Sequence, residues 1–162
     1  MRLLTCSVFA ASLAACATSP STEVEITDLS AAELPTDVRR VAEGAAAGFV
    51  VNEAQRKVRD GRTYYDVEGA LPDGSEIEFD ILLTSAGPEI VETQRDISWA
   101  DAPDAVQSAA PEVSPARVIE STQANGTVIY ELFAPGMPSG PAIEVALDRQ
   151  GVARVLQERW PH

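Results

Sequence analysis

The chain has 162 residues, 45% of them hydrophobic, and sets 25 acidic against 12 basic side chains for a net charge of −13. So acidic a balance excludes nucleic acid and anionic lipid headgroups as main partners, and leaves either plain solubility or attraction of a basic partner. The hydrophobic fraction excludes a disordered chain, and the length accommodates one domain or two small ones.

Residues 1–16 read MRLLTCSVFAASLAAC. Arg2 supplies a minimal basic start, and the apolar run from Leu3 to Ala15 is too short to span a bilayer but suits a signal-peptide core. Its end, Leu13-Ala14-Ala15-Cys16, resembles the bacterial lipobox. That resemblance implies cleavage before Cys16, with residues 1–15 as signal peptide and Cys16 as the lipidated first residue of the mature chain. Several acyl chains on one residue anchor stably where a single chain does not. Ala17 in place of Asp after the cysteine implies, by similarity to enterobacterial lipoproteins, the periplasmic face of the outer membrane. The alternative is Ala-x-Ala cleavage at Ala15-Cys16-Ala17, which would leave a soluble periplasmic protein. Cys6 leaves with the signal peptide, so no mature thiol remains for a disulfide, a redox motif or a thiolate metal ligand. Without Arg2 the mature net charge is −14.

Residues 16–30 are rich in Ser, Thr and acids and read as a lipidated tether. After them the chain passes twice through one programme. Pro35 opens a helix whose apolar stripe is Val38, Val41, Ala42 and Ala45; Pro103 opens a second, with Val106, Ala109, Ala110 and Val113 each 68 positions later. Strands are expected over 49–59, 62–70, 75–84 and 89–97, then over 116–123, 127–133, 141–149 and 152–160. Asp60-Gly61 and Asn125-Gly126 mark tight hairpins, since a type I′ turn needs positive φ at both central residues. Tyr65 and Tyr130 correspond at an offset of 65, and Gly87 and Gly151 at 64. The expected fold class is α+β: two tandem repeats, 31–98 and 99–162, each one helix followed by a four-stranded antiparallel sheet.

The helix, the strand ending in an Asp-Gly or Asn-Gly turn, the Thr-Tyr-Tyr-Asp-Val and Val-Ile-Tyr-Glu-Leu strands and the acidic-apolar strand after them resemble PepSY and PepSY-like domains. These are related in fold to the beta-lactamase inhibitor protein, itself a tandem of two such units. The resemblance spans about 34–160 and departs most at 134–140, where the family has a shorter turn. It implies a binding or inhibitory role.

Parts for catalysis are few. His162 is the only histidine and the last residue, so Ser-His-Asp and Cys-His arrangements lack their members, and a zinc or iron site is not expected. No catalytic residue, metal site or cofactor is expected. Glu76, Glu78 and Asp80 alternate with Ile77, Phe79 and Ile81, which puts the acids on one strand face. That face is expected to be solvated; the alternatives are a weak Ca²⁺ site or a surface for a basic partner. Tyr65 and Tyr130 fall on the apolar phase, whereas Tyr64 and Phe133 fall on the opposite, exposed one. Trp99 and Trp160 end the two units as lids on the core or as interface anchors. The 134–140 loop combines Pro135 and Pro138 with an adaptable Met137.

The expected function is therefore a lipid-anchored, periplasm-facing, non-catalytic binding module that inhibits or regulates an envelope peptidase or hydrolase. Tyr64, Trp99, Pro135, Met137, Pro138 and Trp160 are its candidate contacts. The alternative is a structural or assembly accessory of an outer-membrane complex. Its partners are the membrane, through lipid on Cys16, and a periplasmic or outer-membrane protein, not nucleic acid.

Overall fold

The computed structural model describes residues 24–137 and 139–160; the expected signal peptide, Cys16, Pro138 and His162 lie outside them. Two separate helix-and-sheet units are not what forms. Nine strands make one antiparallel sheet in chain order: β1 (Glu25–Ser30), β2 (Val50–Arg59), β3 (Arg62–Ala70), β4 (Glu76–Thr84), β5 (Gly87–Ile97), β6 (Arg117–Gln123), β7 (Val128–Phe133), β8 (Ile143–Leu147) and β9 (Ala153–Val155). The joint is β5. One edge pairs with β4, and the other pairs Glu92–Ile97 with β6, Glu92 opposite Gln123 and Ile97 opposite Val118. An unpaired β5 edge would leave a row of backbone donors and acceptors without partners, and joining the halves satisfies them.

Residues 25–30, assigned above to the tether, are instead the edge strand β1, paired along its length with β2. The Asp60-Gly61 hairpin forms as its chemistry requires, with φ of 53° and 71° at the two central residues.

Helices α1 (Thr36–Ala45) and α2 (Asp104–Ala109) follow Pro35 and Pro103. Each is entered by a 3₁₀ turn, Ala31–Glu33 and Trp99–Asp101, whose preceding serine hydroxyl donates to a carboxylate three residues on. Ser30 donates to Glu33 at 2.6 Å, and Ser98 to Asp101 at 2.7 Å. The apolar stripe through Val113 promised a longer α2. It stops at Ala109 because Pro111 forces its predecessor out of helical backbone, and Ala110 sits at φ −128°.

Both helices cover the same sheet face. Val38 and Ala42 of α1 pack with Tyr65, Val67, Phe79 and Ile81, and Phe49 meets Phe79 edge to face at 5.1 Å. Val106 of α2 packs with Val118, Tyr130, Leu132 and Val145, with Trp99 against this second cluster. Each fully buried aliphatic side chain here contributes about 1.5–3 kcal/mol. Among the described residues, no helix lies over the other face. No helix among the described residues is long and apolar enough to cross a membrane.

Candidate functional site

The helix-free face carries a row of polar residues placed directly opposite one another on six adjacent strands. In order they are Asp28, Gln55, Asp66, Asp80, Glu92 and Gln123. Alternation along each strand sends Tyr65, Val67, Phe79 and Ile81 to the helices, so Asp66 and Asp80 must point the other way. The result is three carboxylates facing each other on β3, β4 and β5, an arrangement that costs free energy in proportion to their charge.

These acids are buried, although no helix among the described residues covers them: Asp66 is 7% exposed, Asp80 8% and Glu92 4%. The sheet is concave on this side, because one cleft of about 420 Å³ is lined by residues from β1 through β6. Ile26, Tyr64, Leu82 and Val91 supply its apolar wall, Lys57, Arg59 and Arg62 its positive rim, and Asp66, Asp80 and Glu92 its acidic floor. A register shift between Asp80 and Ile81 leaves Val91 as the extra residue on β5 and turns it into this cleft. A second cleft of about 410 Å³ shares Asp66 with the first and is lined by Asp28, Glu53 and Glu78 among others.

Three devices hold the charges. Lys57, diagonal to Asp66 across the hairpin, forms an ion pair with its Oδ2. Burial opposes the Lys57 ammonium, but the hydrogen bond and charge of Asp66, with Asp80 and Glu78 nearby, hold its pKa above the ordinary lysine value. Glu92 accepts from the hydroxyl of fully buried Ser121 and from Gln94 Nε2 at 3.1 Å, while Gln123 Nε2 donates to Ser121 Oγ at 2.7 Å. The third device is protonation. Burial, then the charges of Asp66, Glu92 and Glu78, push Asp80 up to about 9, and burial with Asp66 raises Glu78 to about 7. Asp66 is raised as well, by burial, with Lys57 opposing the shift.

One oxygen of each of Asp66, Glu78 and Asp80 lies within 4.8 Å of the others. Among the described residues, two buried side-chain oxygens have no hydrogen-bond partner, Asp80 Oδ1 and Glu144 Oε1. They occupy corresponding places: Glu144 faces Glu131 across β7 and β8 as Asp80 faces Asp66 across β3 and β4. In the second half, Ala142 stands where Glu78 would, 64 positions on, and among the described residues no third carboxylate completes the group.

The expected solvated acidic face therefore holds only at Glu76, which is exposed; Glu78 is half-buried and Asp80 buried. Of the candidate contacts, Tyr64 lines the cleft, half-buried with the Arg59 guanidinium 5.4 Å from its ring centroid. Phe133, expected to be exposed, is 7% exposed beneath the Arg117 guanidinium. Met137 is 56% exposed and Pro135 is exposed, and neither lines the cleft. Trp99 packs on the second core, and Trp160, half-buried, donates its backbone N–H to Glu144 Oε2 at 2.6 Å. Asp66, Glu92, Lys57 and Ser121 belong to the site without having stood out in the sequence. The signal present was that Asp66 alternates with Tyr65 as Asp80 does with Phe79.

Comparison with protein-family models, with curated proteins and with solved structures found no match to this chain.

Proposed function

We propose that this chain is a non-catalytic binding module, anchored by lipid on Cys16 at the periplasmic face of the outer membrane. On this reading it inhibits or regulates an envelope peptidase or hydrolase through its helix-free face. The observation that carries the reading is the concave cleft of about 420 Å³, where an apolar wall adjoins charged groups of both signs. An aromatic beside arginines at a desolvated centre is the composition that concentrates binding energy in protein interfaces. The Leu13-Ala14-Ala15-Cys16 motif supports the anchor, and a mature chain whose one histidine is residue 162 supports a binding role over a catalytic one.

The test is inhibition of a panel of periplasmic peptidases and hydrolases by the purified chain. Inhibition of at least one enzyme is expected, weakened about tenfold or more by Tyr64→Ala, the cost of a hot-spot truncation. No inhibition anywhere in the panel, or inhibition indifferent to Tyr64, would count against the proposal.

A further inference from the structure

We propose that Asp66, Glu78 and Asp80 form a site for a hard divalent cation of the Ca²⁺ kind at the floor of the concave face, where a bound ion displaces the Lys57 ammonium. The donor set is all oxygen, which suits Ca²⁺ and disfavours softer metals. Ligand oxygens lie 2.3–2.6 Å from a Ca²⁺ ion, so any two on one ion stand at most about 5 Å apart. The three carboxylates already meet that limit, at 4.8 Å or less.

The second observation is Asp80 itself. It is 8% exposed, and its Oδ1 has no partner. Lys57 pairs with Asp66 Oδ2 and leaves Asp80 Oδ1 unsatisfied. An orphaned buried carboxylate oxygen is costly, and a cation among these three ligands satisfies it. Entry is open, because Asp66 and Asp80 line one cleft, and Asp66 and Glu78 line the next. Lys57 is an internal competitor that can leave: its side chain is 34% exposed, and its flexible stem reaches toward the cleft.

Purified full-length chain is heated at pH 8 with and without Ca²⁺ in the millimolar range, followed by circular dichroism, and Ca²⁺ binding is measured by calorimetry. The wild type is expected to gain roughly 3–6 °C in Tm once the ion exceeds its Kd about tenfold. Asp80→Asn and Glu78→Gln, near-isosteric changes that replace a carboxylate ligand by a neutral amide, are expected to lose the shift. Lys57→Met is expected to bind Ca²⁺ about tenfold more tightly, the internal competitor being gone. No shift in the wild type, or an equal shift in Asp80→Asn, overturns the site; unchanged affinity in Lys57→Met overturns the displacement. Partner protein is absent from these measurements, so their failure would leave the binding-module proposal standing.

Discussion

Asp80 sits between two other carboxylates, Asp66 and Glu92, on a sheet that buries all three. Folding therefore raises its pKa to about 9 from an ordinary 3.8, and that of Glu78 to about 7 from 4.5. In that window the folded chain binds more protons than the unfolded one, so stability falls as pH rises. The contribution is fully present below about pH 4, and is lost progressively as pH climbs through 7 for Glu78 and 9 for Asp80. Without divalent cation, Tm should decrease between pH 5 and pH 9. Asp80→Asn should flatten that slope and stabilise the protein at pH 8 by at least about 1.4 kcal/mol, the worth of one pKa unit, because a neutral amide needs no proton taken up on folding. Thermal melts across pH check both statements; a variant less stable than wild type at pH 8 would contradict them. At this scale the sequence was half legible. Alternation put Glu78 and Asp80 on one face, but opposing Asp66 and Glu92 to them depends on registers set by the Asp73-Gly74 turn and the shift at Asp80/Ile81. No pattern within one strand encodes either.

Elements repeat the lesson with glycine and proline. The type I′ signal at Asp60-Gly61 was readable because its requirement is local. Gly69 was not, because its requirement is a neighbour: a Cβ there would stand 2.2 Å from the Val50 carbonyl oxygen and 2.5 Å from Phe49 Cε2. Phe49 approaches this closely while packing edge-on to Phe79 at the end of the first core. Gly69→Ala should accordingly destabilise the chain by about 1–3 kcal/mol through overpacking, measured by urea denaturation. A neutral result would mean that β2 and β3 separate there at little cost. Polar composition made 25–30 look like tether, yet Asp28 accepts from Gln55 Nε2 at 2.9 Å as β1 completes the concave face. A short polar strand at a sheet edge and a linker share the same composition, and pairing alone distinguishes them.

The whole molecule is where sequence reading went furthest astray. The helix entries do repeat, with Ser30, Pro35 and Val38 answered by Ser98, Pro103 and Val106. A repeat in sequence nevertheless says nothing about which strand edges pair. β5 and β6 are separated by the segment that holds α2, and their pairing is a long-range choice driven by unsatisfied edges. One continuous face follows from that choice, and Gln123 of β6 joins a cleft otherwise lined by residues 24–92. If Cys16 carries the anchor, eight residues lie between it and β1, a reach of at most about 32 Å, so the face works close to the membrane. Cys16→Ser should abolish acyl labelling and release the chain from the membrane fraction, and retained labelling would refute the anchor. The most direct test of the binding face is photo-crosslinking in intact envelopes, with a photoreactive residue at Tyr64 on the concave face or at exposed Arg40 on α1. Crosslinks to one envelope protein from position 64 and none from position 40 are the predicted result; crosslinks from position 40 alone would contradict it.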